Sequence, residues 1–166
     1  MTRRRRDFGF GFALMLLVLA CGAQPPQAQD PAPAPAATSP HVVLPDGFRV
    51  EVEVASDPDT RATGLMYRPS LNAGKGMLFL FPEPAAHGFW MKNTLIPLDM
   101  IWIDATGRVV DVEADVPPCK ADPCPTYGPE GKASYVLELA GGEAARHGVV
   151  PGASVAIRNV EQYIVR

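Results

Sequence analysis

The sequence predicts a mainly β fold with minor α content: a compact β-sandwich or partly open β-barrel carrying two short helices. Three observations carry that expectation. Residues 48–54 alternate strictly between apolar and polar side chains, the signature of a half-buried strand. Residues 77–81 form a continuous apolar run too short for a helix, and 98–103 read as a further short strand. Turn-forming residues recur at short intervals, so six to eight short strands fit the final stretch of about 125 residues, the length of one ordinary domain.

The elements follow in order. Phe48, Val50, Val52 and Val54 point to a core, while Arg49, Glu51 and Glu53 face water. Ser56-Asp57-Pro58-Asp59-Thr60 has the form of a helix start, with a capping residue, an early proline and acid in the first turn. That helix should carry Arg61, Ala62 and Leu65 and end near Met66 or Arg68, before Pro69. The run 77–81, held between Gly76 and Pro82, reads as a central strand. Residues 89–94 read as the next strand, with Phe89, Met91 and Asn93 on one face and Trp90, Lys92 and Thr94 on the other. Residues 98–103 form a third, and Asp104-Ala105-Thr106-Gly107 turns it back into 108–114. The loop 115–132 is rich in proline and glycine. A strand over 135–139, a short helix over 142–147 stopped by Gly148, and strands over 154–159 and 162–165 complete the chain.

What precedes this domain concerns address. Arg3 to Arg6, then an apolar stretch from Phe8 to Ala20, have the build of a secretory signal over residues 1–20. The apolar stretch is shorter than the ~20 residues that span a bilayer. Leu17-Val18-Leu19-Ala20-Cys21 resembles a bacterial lipobox, which implies cleavage before Cys21 and acylation of that cysteine. Arg5-Arg6-Asp7-Phe8 also resembles a twin-arginine signal, a pattern that any arginine run produces easily. Residues 21–40, dominated by alanine, proline and glutamine, read as an extended tether between the lipid and a single β-rich domain over 41–166. The expected location is the cell envelope or periplasm, with the membrane reached through the lipid on Cys21.

Charge narrows the partners. Arg3 to Arg6 against Asp7 give residues 1–20 a net +3, so the whole-chain −3 becomes −6 once they are removed. An acidic domain without a basic run is a poor nucleic-acid binder and is not drawn to anionic lipid. Of three cysteines, Cys21 belongs to the lipobox, leaving Cys119 and Cys124 with four residues between them. An oxidising compartment favours a disulfide staple over a metal or redox pair, since two sulfurs are too few for structural zinc and a redox pair more often reads Cys-x-x-Cys. So short a loop should contribute on the order of 2–3 kcal/mol at best.

Arg61-Ala62-Thr63-Gly64-Leu65-Met66-Tyr67-Arg68, Gly76-Met77-Leu78-Phe79, Phe89-Trp90-Met91-Lys92-Asn93-Thr94 and Pro97-Leu98-Asp99 together resemble the bacterial and archaeal family called domain of unknown function 192. The proline- and cysteine-containing loop from Pro118 to Tyr127 is similar as well, and the resemblance spans residues 48–160. It implies a compact β-rich fold, often behind a signal or lipid anchor, and no particular activity.

Candidate chemistry centres on residues 89–99. One expectation is a binding module for a small anionic or sugar-like ligand. Arg61, Arg68 and Lys92 would supply cations, Asn93 and Thr94 hydrogen bonds, Trp90 or Tyr127 a stacking platform, and Asp99 a carboxylate at the groove's end. The plainer reading of these charges is surface ion pairs, with Arg61 and Arg68 bonded to acids such as Glu83 or Asp99, and Asp99 with Lys92. An envelope hydrolase or transferase is the second expectation, although Asp99 and Asp104 fall on opposite strand faces. The histidines are scattered: His41 in the tether, His87 before the strand at 89, His147 near a helix end. No nucleophile elbow, metal motif or phosphate loop occurs, and no cofactor is expected. A third is docking of a partner protein on an apolar groove containing Met66, Met77, Met91 and Met100, residues that suit a core better. If Cys119 and Cys124 are joined, thiol labelling of the denatured, unreduced mature protein should find no free thiol; two labelled thiols would contradict the pairing.

Overall fold

A computed structural model describes residues 39–164. The expected signal sequence, Cys21 and nearly all of the expected tether therefore lie outside the described residues. Within them the chain runs β1 (His41–Val43), β2 (Arg49–Ala55), α1 (Pro58–Thr63), β3 (Lys75–Ala85), β4 (Phe89–Trp90), β5 (Leu98–Ile103), β6 (Val109–Val116), β7 (Thr126–Tyr127), β8 (Ala133–Ala140), α2 (Glu143–Arg146), β9 (Ala156–Arg158) and a 3-10 turn (Glu161–Tyr163). Seven strands make one sheet in the order β6-β5-β8-β3-β2-β1-β9, and β4 with β7 forms a separate two-stranded ribbon. The sheet curls into a half-barrel. Its two edges meet where Arg108 bridges Ser154 and the Val109 and Val155 amides donate to Ala153 and Gly107, both at 2.9 Å. This contact covers part of two edges that would otherwise be open to pairing with other chains. The β-dominated expectation holds, in its partly open barrel form.

The central strands explain the apolar runs. β3, β5 and β8 are buried on both faces, so their sequences do not alternate. One face, with Leu78, Leu80, Ile101, Ile103, Leu137 and Leu139, packs inside the curl with Val50, Val52 and α2. The other carries Met77, Phe79, Met100, Trp102 and Val136 and is covered by Leu65, Met91 and Val116. Met77, Met91 and Met100 are thus core residues. β2 keeps its alternation because Glu51 and Glu53 reach solvent. β2 and β3 pair in parallel, which a tight turn cannot achieve. α1 and residues 64–74 supply the crossover. Asp57 caps α1 by accepting from the Asp59 and Thr60 amides, both at 3.0 Å, with Pro58 in the first turn.

Several local expectations fail, each for a tertiary reason. The strand expected over 89–94 stops at Trp90, because Asn93 takes a left-handed conformation (φ 56°) and turns the chain. The two-face alternation fails with it: Met91 and Thr94 are buried and Asn93 is exposed. α1 ends at Thr63, short of Met66, since Gly64 (φ 49°) leaves the helix. Residues 161–163 form a 3-10 turn where a strand was expected over 162–165. His41 is a strand residue and not part of the tether, and the Pro40 carbonyl already accepts from Val52 at 3.1 Å. No helix among the described residues is long and apolar enough to cross a membrane.

One buried charge holds the inner face together. The fully buried Asp99 accepts the Asp115 and Gly142 amides on Oδ1 (2.7 and 2.9 Å) and the Ala144 amide on Oδ2 (2.7 Å). It thereby ties β5 to the end of β6 and to the start of α2. Asp99→Ala would leave these donors without their acceptor, so urea titration should show a loss of ~3 kcal/mol or more. Asp99→Asn, which keeps an oxygen for two of them, should lose clearly less.

Candidate functional site

The outer face is covered unevenly, and the uneven cover leaves a cleft. One wall is the end of α1 and the turn after it, Arg61 to Met66; the other is Phe89, Trp90 and Thr94; Phe79 and Glu138 form the floor. Gly64 allows the close approach: a Cβ there would lie 3.2 Å from the Phe79 ring and 3.9 Å from Glu138 Oε2. The walls are joined by the Tyr67 amide, which donates to the Asn93 carbonyl at 2.9 Å. Both residues adopt left-handed backbone (φ 63° and 56°), which non-glycine residues seldom do. The Phe89 ring stands edge-on to Phe79 and Trp102, with centroids 4.9 and 6.1 Å away. Behind it Tyr127 pairs with Phe89 across the ribbon.

The disulfide braces this region from outside. Cys119 and Cys124 are bonded, and the Cys119 amide donates to the Met91 carbonyl at 3.2 Å. Asp122, within that loop, meets Lys92 Nζ with both oxygens at 3.1 Å. Lys92 in turn lies 5.8 Å from the Trp90 ring centroid. The disulfide loop thus positions Lys92 beside an aromatic ring whose residue is 51% exposed.

The remaining residues expected to form a site separate into two groups. Arg61, Trp90 and Thr94 line the cleft. Arg61 donates to the Ser56 carbonyl and to the Leu80 carbonyl (3.1 Å), and lies over the Phe81 ring. Arg68 forms a two-pronged ion pair with Glu53, and Asn93 reaches Met66 Sδ. Neither Arg61 nor Arg68 is bonded to Glu83 or Asp99. Asp99 lies on the other sheet face, and Lys92 is paired with Asp122 instead of Asp99. Asp104 accepts from the Thr106 and Arg108 amides within its turn. Its structural role leaves no carboxylate pair with Asp99. Among the described residues no group of three His, Cys, Asp or Glu side chains could hold a metal.

Glu138 was not anticipated. It sits in register between Met77 and Met100, is only 5% exposed, and its Oε2 has no hydrogen-bond partner. Burial pushes its carboxyl up to about 8, against the opposing pull of Arg68. The available signal was an acid inside Tyr135-Val136-Leu137-Glu138-Leu139-Ala140, where every neighbour suits a buried strand. A groove of about 410 Å³ elsewhere, over β2 and β3, is lined by the Arg68–Glu53 and Lys75–Glu51 pairs. Its charges are mutually satisfied, so the Glu138 cleft is the stronger candidate.

The β-rich fold accords with the comparisons. The family model for domain of unknown function 192, described as "Uncharacterized ACR", matches residues 41–157. The chain belongs to this family. A solved structure from Sinorhizobium meliloti 1021, described as a candidate transcription regulator, is 35% identical, with 71% of this chain and 91% of that one covered and a TM-score of 0.63. A protein of unknown function from Novosphingobium aromaticivorans DSM 12444 is 34% identical, covering 81% of this chain and 99% of that one, with a TM-score of 0.64. No curated protein matches the chain.

The raised Glu138 carboxyl has a measurable consequence. The folded protein holds this proton up to about pH 8, whereas the unfolded chain releases it near 4.5. Between those values the native state binds more protons, so this group lowers stability as pH rises, by up to about 1.4 kcal/mol per pH unit. Glu138→Gln, which imitates the protonated form, should equal the native protein near pH 4.5 and exceed it at pH 8. Parallel stability curves in urea at both pH values would contradict the raised carboxyl.

Proposed function

We propose that this protein is a binding module of the cell envelope, tethered by lipid, that takes a small sugar-like ligand beside the cleft around residues 89–94, with one substituent reaching into it. The observation that carries this reading is Trp90, half-exposed at the mouth of a cleft floored by a buried carboxyl. A second depression of about 400 Å³ adjoins the first and shares Arg61, Ala62, Phe89 and Trp90 with it. A volume of this order accommodates a small ligand. A half-exposed tryptophan at the mouth suits the apolar side of a sugar ring, and the Glu138 carboxyl on the cleft floor suits a polar substituent.

The anionic alternative has less support. Arg68 and Lys92 are already paired with Glu53 and Asp122, Arg61 donates to two carbonyls, and the floor is acidic. Catalysis by paired carboxylates also lacks support, because among the described residues Glu138 is the only acid lining the cleft. The export signal and lipobox-like sequence supply the location in this proposal.

The two tryptophans provide the test, since Trp102 is fully buried and Trp90 is not. Sugars and cell-wall fragments that bind should alter Trp90 emission and raise the melting temperature by several degrees at a hundredfold excess over Kd. Trp90→Ala should abolish the emission change and weaken binding about tenfold, for loss of one stacking contact. A full panel producing neither change would refute the reading.

A further inference from the structure

The geometry points to an ammonium group as the part of the ligand that enters the Glu138 cleft: the site takes an amine-bearing ligand, such as an amino sugar, whose cation pairs with the Glu138 carboxylate. This rests on, and deepens, the sugar-like reading above. The first support is Glu138 itself. A carboxyl buried on a sheet face, with Oε2 lacking any hydrogen-bond partner, leaves a polar group unsatisfied at a cost that native structures seldom tolerate. It is aimed into the cleft it floors.

The second support is the space above it. The cleft itself offers about 30 Å³, room for one group the size of a water molecule or an ammonium head. A sugar ring does not fit there, but fits the larger depression beside it. The ring would lie against Trp90 and a single substituent would reach down. The third support is the lining: Phe79, Phe89 and Trp90 surround the cleft, and the Lys92 ammonium already lies 5.8 Å from the Trp90 ring, so an aromatic-lined site that excludes water suits a cation.

The charges around Glu138 agree with this choice. Arg68, whose guanidinium pulls on Glu138, is held by Glu53 on β2. Arg61 on α1 lines the same cleft but is committed to the Ser56 and Leu80 carbonyls. On the far side, Glu113 of β6 stands in register with Met100, adding another acid to the same row across the sheet. No side-chain cation neutralises Glu138 by direct contact among the described residues. A bound ammonium would do so. The carboxyl would then ionise, its O–H proton leaving to solvent, with no covalent bond made or broken in the ligand.

Calorimetry at about pH 6.5 in two buffers of different ionisation enthalpy tests this directly, using D-glucosamine, N-acetyl-D-glucosamine and ethanolamine as probes. D-glucosamine should bind at least about tenfold more tightly than its N-acetyl form and release close to one proton. Glu138→Gln should abolish that release and reduce glucosamine binding to the level of the acetylated sugar. Equal binding of both sugars without proton release would overturn the ammonium inference and leave the sugar reading intact. Glu138-dependent proton release with ethanolamine alone would uphold the amine site and remove the sugar reading. If no probe binds, both fall, and Glu138 is satisfied by buried water only.

Discussion

Burial of one sheet on both faces is the constraint from which the other features follow. Three central strands, β3, β5 and β8, present apolar side chains in two directions, so the chain must cover both sides. The inner side is covered by the curl of the sheet itself and by α2. Among the described residues the outer side has no layer of long helices, and a six-residue helix, a tight turn at Asn93, a two-stranded ribbon and a disulfide loop share the task. Such a cover is assembled from short pieces, and the cleft lies where two of them meet.

The two faces treat their carboxylates in opposite ways. Asp99 and Glu138 belong to neighbouring strands, one pair apart in the β5–β8 register, and both are almost wholly buried. Asp99 receives three backbone N–H groups, which offset the loss of hydration and turn a buried charge into a tie between elements. Glu138 receives none at Oε2, and its carboxyl rises accordingly. An acid that ties elements together and one left unpartnered on the floor of a cleft are thus distinguished by their partners, although their depth of burial is alike.

Much of the scaffold was legible because local chemistry and tertiary structure agree there. The alternation of β2, the apolar run of β3, the short strand of β5, the Asp57-Pro58 helix start and the Asp104 turn were all readable in short windows. The site was legible only in part. Trp90, Thr94 and Arg61 were singled out and do share a cleft, but Asp99 was placed beside them although it faces the opposite core. Residues 89–94 resembled a strand because their composition suits one. What bends them is the Tyr67–Asn93 backbone bond between segments far apart in sequence. Glu138 escaped notice because a lone acid in a strand usually faces water, and only its neighbours reveal that this one does not.

By itself the sequence determined that the domain is β-rich, where its turns and helix starts fall, and that its cysteines are spaced to close a small loop. These depend on interactions within a few residues: side-chain periodicity, capping, and the φ preferences of proline and glycine. It also carries signal-like and lipobox-like segments, which are read as linear patterns. The tertiary structure alone decided the parallel pairing of β2 with β3, the partial closure of the barrel, and which acid lies unpartnered at the floor of a cleft. Each of those depends on which distant segments come together, because burial and the partners left within reach are properties of the assembled faces and not of any one stretch of chain.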